Sequence, residues 1–276
     1  MPDVMQPLFT FIGGGNMGRA LIGGLLAHGH TPAQIRVADS IAAARNACES
    51  EFGIAVFDDN SQAIAGADAV VLAVKPQQMR KVASALDTTL ATGAIYLSIA
   101  AGLTTTHLQS WLGEDHAIVR AMPNTPALVG HGAAAMYATS AVTPEQRELA
   151  YRLMSAVGYA AWVEQEAALD AVTAISGSGP AYFFLFIELI EKVAIELGLE
   201  SELARRLTLE TALGASSLAC DSELPPATLR QQVTSPGGTT ERALASFSAA
   251  KLEGIVRAAL TAARDRSVEL AAEVRG

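Results

Sequence analysis

The feature that most limits the fold is Gly13-Gly14-Gly15-Asn16-Met17-Gly18, set between the apolar run Leu8–Ile12 and the helix-forming stretch Arg19-Ala20-Leu21-Ile22. A glycine triad of this spacing that leaves a strand and opens a helix is the turn of a dinucleotide-binding βαβ unit. Gly13 permits the tight turn, Gly15 admits a pyrophosphate to the backbone, and Gly18 lets helix and strand pack closely. Twenty-one residues after Gly18, a second apolar run ends at Ala38-Asp39-Ser40. Asp39 stands where an acceptor for the ribose 2'-hydroxyl belongs, and Ser40 with Arg45 offers donors to a 2'-phosphate if Asp39 turns away. Taken alone, Arg45 reads as a solvated helix charge.

Short apolar runs at Leu8–Ile12, Ile35–Ala38, Ala69–Val74, Ile95–Ile99 and Ala117–Arg120 alternate with alanine-rich helical stretches. This rhythm predicts an α/β fold with a doubly wound parallel sheet of the Rossmann kind. After about Thr143 the strand signals fade, leaving one short strand near Ala160–Val163 and helical segments around 168–176, 180–197, 201–220 and 250–273. The expected organisation is therefore a Rossmann domain over 1–165 and an all-α domain over 166–276. The helix from Pro180 carries Ala181-Tyr182-Phe183-Phe184-Leu185-Phe186-Ile187 and is apolar around nearly its whole circumference, as a helix buried in a large core or subunit interface requires.

The charge excludes some partners. A net charge of -9 over 276 residues and a pI near 5.1 disfavour general binding to nucleic acid or anionic membranes, while a local donor cluster still suits a small anion. Cys48 and Cys220 are far apart and lack metal-ligand spacing, so the sequence predicts neither a disulfide framework nor a metal site and fits a reducing cytoplasm. Met1-Pro2-Asp3-Val4-Met5 lacks the basic start of an export signal, and Glu188, Glu191 and Lys192 interrupt the strongest apolar run. The five histidines show no catalytic pairing.

Three further strand ends carry turn-forming residues: Val74-Lys75-Pro76, Ser98-Ile99-Ala100-Ala101-Gly102 and Met122-Pro123-Asn124-Thr125-Pro126. Ligands of open α/β sheets bind at such carboxyl ends, and the small residues Ala100 to Gly102 leave room for a flat ring. Far downstream, Thr234-Ser235-Pro236-Gly237-Gly238-Thr239-Thr240 joins a stiff entry to two glycines and two hydroxyls that can cap a helix from Glu241. Such a turn aims N–H and O–H donors at an anion.

With Asp170-Ala171-Val172-Thr173 and Ser176-Gly177-Ser178-Gly179-Pro180-Ala181-Tyr182 added, the order and spacing of these motifs over nearly the whole chain resemble pyrroline-5-carboxylate reductases. The resemblance implies reduction of 1-pyrroline-5-carboxylate to L-proline, the last step of proline biosynthesis, by NADPH or NADH. It implies cofactor contacts at Ile12, Gly13, Gly14, Gly15, Asn16, Met17, Ser40, Asn60, Ala73, Val74, Lys75, Pro76, Ile99, Ala100 and Ala101, with Asp39 beside them and a polar residue at Gln232. Substrate contacts fall on Glu166, Thr239 and Thr240, joined by the Gly238 N–H, and Thr240 becomes the candidate catalytic residue. Lys75 reads first as a cofactor-positioning residue. The family also forms dimers through interlocked helical domains, often arranged as rings of dimers, which makes the second domain a dimerisation domain. Two departures stand out: some members carry serine in place of Asp39, and many carry apolar residues in place of Glu241-Arg242.

Two rival readings remain. A β-hydroxy-acid dehydrogenase needs a lysine on the helix after the glycine-rich Ser176–Gly179 segment, where this chain is aromatic and aliphatic and Lys192 lies several turns on. A nucleotide-sensing protein without catalysis predicts loss of the Ser235–Thr240 loop, which is intact.

Overall fold

The structure is a computed structural model that describes residues 7–274, so the Met1–Met5 stretch lies outside the described residues. The strands are β1 (Phe9–Ile12), β2 (Ile35–Ala38), β3 (Ala55–Phe57), β4 (Ala69–Leu72), β5 (Ile95–Ser98), β6 (Ala117–Met122), β7 (Gly132–Ala138) and β8 (Gly158–Trp162). They form one sheet in the order β3-β2-β1-β4-β5-β6-β7-β8. The pairings from β3 to β6 are parallel, as the alternating pattern predicts.

Beyond β6 the sheet departs from that expectation: β7 runs antiparallel to β6, and β8 pairs parallel with β7. The connection between β6 and β7 holds only the short 3-10 turn Thr125–Val129, leaving no room for the helical crossover that a parallel neighbour needs. Gly132 and Gly158 face each other where β7 meets β8, and a Cβ on Gly158, whose φ is +144°, would lie 2.1 Å from the Gly132 oxygen.

Helices α1 (Asn16–Ala27), α2 (Ala42–Phe52), α3 (Asn60–Ile64), α4 (Pro76–Ala83), α5 (Thr105–Leu112), α6 (Pro144–Ser155) and α7 (Ala168–Val172) accompany this sheet. The side-chain period of two sends Phe9 and Phe11 to one face and Ile12 to the other. The first face buries Leu21, Ile22 and Leu25 of α1 with Leu153 and Met154 of α6, while the second buries Ile64, Met79 and Leu108. Each such side chain contributes about 1.5–3 kcal/mol relative to exposure. Burial on both faces is what makes β1, β4 and β5 read as continuous apolar runs.

A π-helical turn, Thr173–Gly177, precedes α8 (Gly179–Glu196), α9 (Ser201–Asp221), α10 (Pro226–Gln232), α11 (Thr239–Ala249) and α12 (Leu252–Glu273). Contacts divide the chain after Ser178: residues 179–262 form one compact unit, and the remainder of the chain forms the other, with the end of α12 packed into the sheet-containing unit. The sequence places its boundary after residue 165. Within the helical unit, α8 and α9 pack on each other, yet along α8 only Gly179 is buried. Phe183 is 66% exposed and Phe184 63%. Among the described residues, one helical stretch, Ala168–Glu196, is long and apolar enough to cross a membrane by length and composition.

Candidate active site

The carboxyl ends of β1, β4, β5 and β6 lie side by side, and the strand order reverses between β1 and β4. That reversal is the switch point where open α/β sheets hold their ligands. Gly13 sits on it with φ +110°, and a Cβ there would lie 2.7 Å from the Ala73 oxygen at the exit of β4. Only glycine lets the two strand exits approach this closely. Gly18 has a matching role, since its Cβ would stand 2.7 Å from the Gly13 oxygen. Gly15 differs from both: it is the N-cap of α1 in extended backbone, with nothing within 4 Å of where its Cβ would be. The first turn of α1 has no side-chain cap and no acidic residue, so its backbone donors face that open space. This is the cradle a pyrophosphate requires.

The end of β2 braces the cradle. Asp39 accepts the Gly14 N–H through Oδ2 at 2.9 Å and the Ile41 N–H through Oδ1 at 2.8 Å. Its carboxylate therefore holds the glycine turn, a role that spacing alone does not suggest. Arg45 is half-buried and donates from Nη1 to the Asp39 backbone oxygen at 2.7 Å, which corrects its reading as a solvated helix charge. Ser40 is exposed beside them. Under the turn, Cys48 is buried against Gly14, and burial pushes its thiol above the ordinary cysteine range. It is a packing residue here.

The other predicted cofactor residues gather at the same edge. Lys75 is exposed at the N-cap of α4, followed by Pro76 at the first helical position. Ala73 donates its N–H to Ile12, and Ile99 donates to Leu72, so these three exits are hydrogen-bonded in sequence across the sheet. Ala100 is buried, with its N–H on Ser98 Oγ at 3.3 Å. Asn60 opens α3, whose N-cap Asp59 accepts the Gln62 N–H at 2.9 Å.

Glu166 belongs to a network that the sequence does not announce. Its Oε1 accepts the Thr105 N–H at 2.7 Å and Arg120 Nη1 at 3.1 Å, while its Oε2 accepts the Thr105 hydroxyl at 2.6 Å. Arg120 is only 3% exposed, inside a strand that is otherwise apolar. A charge at such a position must be paired, and this was the available signal for Arg120, which the sequence pattern treats only as a strand end. Nearby, Ser267 donates its hydroxyl to Asp170 at 2.7 Å.

In the helical unit, the Ser235–Thr240 loop turns through Gly237 at φ +71°. Helix α11 begins at Thr239 with Gly238 as its N-cap, so the threonines occupy the first turn and do not cap a helix from Glu241. Gly238 donates its N–H to the Ser235 oxygen at 3.0 Å, and Gly237 donates to Glu241 Oε2 at 2.8 Å. The first-turn N–H groups of Thr239 and Thr240 have no partner inside the helix, which leaves backbone donors that suit an anion.

Residues 166–270 match the family model for pyrroline-5-carboxylate reductase dimerisation, and residues 8–102 match that for NADP oxidoreductase, coenzyme F420-dependent. A pyrroline-5-carboxylate reductase of Pseudomonas aeruginosa is 51% identical over 97% of this chain and 98% of its own length. One from Vibrio alginolyticus is 43% identical over 95% and 96%. The solved structure of a pyrroline-5-carboxylate reductase from Coxiella burnetii superimposes with a TM-score of 0.92 at 43% identity, covering 96% of this chain and 98% of that one. The Plasmodium falciparum pyrroline carboxylate reductase, solved with NADP bound, gives 0.86 at 27% identity over 96% and 98%. Identity of this extent, over both the glycine cradle and the helical region, places the chain in the pyrroline-5-carboxylate reductase family.

Proposed function

We propose that this protein reduces 1-pyrroline-5-carboxylate to L-proline with NADPH or NADH, closing proline biosynthesis. The observation that carries the reading is 51% identity to a pyrroline-5-carboxylate reductase over 97% of the chain, with the cradle and the Ser235–Thr240 loop both intact. When bound, the reduced nicotinamide supplies a hydride to the carbon of the substrate's C=N bond. The nitrogen gains a proton, and the electron pair of the π bond becomes the new amine lone pair. The protein's share of the work is to position two reactants and exclude water.

Gly13 to Met17 hold the pyrophosphate, and the exits at Ala73–Pro76 and Ile99–Ala101 hold the nicotinamide end. The substrate carboxylate is bound by the N–H groups and hydroxyls of Thr239 and Thr240, with Gly238 shaping the turn. The Thr240 hydroxyl hydrogen-bonds the ring nitrogen. Glu166 serves the substrate side by fixing Arg120 and Thr105. Because the Asp39 carboxylate is drawn onto Gly14 and Ile41, Ser40 and Arg45 are left to receive a 2'-phosphate, which favours NADPH.

The exposed apolar surface of α8 lies within the region matched by the dimerisation model. A second copy of the chain covers it in a homodimer, with rings of dimers as the larger assembly, and the same cover accounts for the apolar stretch 168–196 without a membrane. Two free cysteines, one of them buried, suit a cytoplasmic enzyme.

The test is the initial rate of NADPH and NADH oxidation with 1-pyrroline-5-carboxylate, for the wild type and Thr240→Ala. Turnover in the wild type with kcat/KM reduced about 10²–10⁴-fold in the variant is expected for a hydroxyl that assists proton transfer. Wild-type inactivity with both coenzymes overturns the reaction, and an unchanged variant overturns the role of Thr240.

A further inference from the structure

Two motifs take no part in the chemistry above: the Met122–Pro126 turn and the Ser176–Gly179 segment. The structure brings them together. Asn124, only 8% exposed, donates from Nδ2 to the Ser176 backbone oxygen at 3.0 Å and accepts the Ala133 N–H through Oδ1 at 2.8 Å. Both halves of its amide are therefore committed, one to the start of β7 and one to the π-helical turn Thr173–Gly177. Gly177 presses against the same loop: a Cβ on it would lie 2.4 Å from Met122 Cε.

A π turn contains one residue more than an α turn and is rare outside single-turn bulges at functional sites, so a side chain bonded to it from outside is a means of holding it. In this turn Ser178 donates its N–H back to the Thr173 oxygen at 2.8 Å, five residues away. The hydroxyls of Thr173 and Ser176 donate to the Leu169 and Val172 oxygens at 2.8 and 3.0 Å. The Ser176 oxygen is taken by Asn124. Relaxation to a plain α-helix would advance every later residue by one position, about 1.5 Å along the axis and roughly 100° around it. The turn ends where the chain passes from the sheet-containing unit into the helical one, after Ser178.

We propose that Asn124 is a positioning residue that holds this turn in its π form and thereby sets the helical register in which the chain enters α8. The consequence for activity rests on the reaction proposed above. A misplacement near 1 Å is enough to cost about a hundredfold in rate when a catalytic group is displaced.

Asn124→Ala should raise KM for 1-pyrroline-5-carboxylate about tenfold or more and lower kcat, while the Kd for NADPH, read by nucleotide fluorescence without substrate, stays within about twofold. Simple destabilisation does not split the two ligands in this way. A crystal structure of the variant gives an activity-independent reading: the Ser178 N–H should pass from the Thr173 oxygen to the Ala174 oxygen, and a variant that keeps the Thr173 bond overturns the proposal. Unchanged KM, or NADPH binding weakened in parallel, overturns the proposal. Should Asn124→Ala fail to fold, Asn124→Asp decides the matter, since it keeps an oxygen for the Ala133 N–H and loses the donor to the Ser176 oxygen, and the same split is expected. Asn124→Asp with unaltered KM then overturns the proposal. If the wild type fails to turn over the imine, the reaction is wrong, and the Ser178 hydrogen-bond partner in the variant alone judges the turn.

Discussion

Gly13 and Gly15 stand two residues apart in one turn and should fail in opposite ways. Gly13→Ala forces a side chain into φ +110° and to within 2.7 Å of the Ala73 oxygen. Strain of this kind costs on the order of 1–3 kcal/mol, so its melting temperature should fall even without nucleotide. Gly15→Ala meets extended backbone and empty space, so the apo melting temperature should hold. NADPH affinity should nevertheless drop about tenfold or more, because the added methyl fills the cradle. Thermal melts with and without NADPH separate the cases; equal behaviour of the two variants would mean that Gly15 does not face the pyrophosphate. At this scale the glycines were legible because strand, turn and helix follow each other in the sequence. The Asp39 brace was not, since its two N–H partners depend on how the turn at Gly14 closes over β2.

At the scale of elements, the Arg120–Glu166 pair ties β6 to the segment leading into α7, with Thr105 at the first turn of α5 as the third member. Removing one partner leaves a buried guanidinium unpaired, which costs about 3–5 kcal/mol in buried pairs. Glu166→Ala should therefore lower urea stability by an amount of that order at fixed protein concentration. Arg120→Met combined with Glu166→Leu should recover much of the loss, because the double variant buries no charge. A double variant no more stable than Glu166→Ala would show that the hydrogen bonds to Thr105, and not the orphaned charge, carry the effect. The elements that sequence patterning missed have a common cause. β7 reads Gly-Ala-Ala-Ala-Met-Tyr-Ala, and alanine and glycine carry little strand preference of their own, while β3, Ala-Val-Phe, is too short to show a period of two. They become strands through pairing with β6, β8 and β2, which no local window contains.

At the scale of the whole molecule, α8 presents Phe183, Phe184, Leu185 and Ile190, each more than half exposed. Apolar surface this extensive on a single chain marks an interaction face. The sequence announced that the helix needs cover but could not say from where, since periodicity does not distinguish a core from an interface. Cover by a second copy has a thermodynamic signature: association stabilises only the folded state, so melting should shift upward with protein concentration. Sedimentation should give a dimer or a multiple of dimers at micromolar concentration, and Phe183→Glu should weaken it while leaving NADPH binding by the sheet-containing unit within about twofold, since charge burial penalises the interface and not the cradle. A single 28.7 kDa species with a melting temperature independent of concentration would leave α8 uncovered by its own kind. The stretch 168–196 would then have to find its cover in another protein or a lipid phase, which vesicle flotation of the wild type would distinguish.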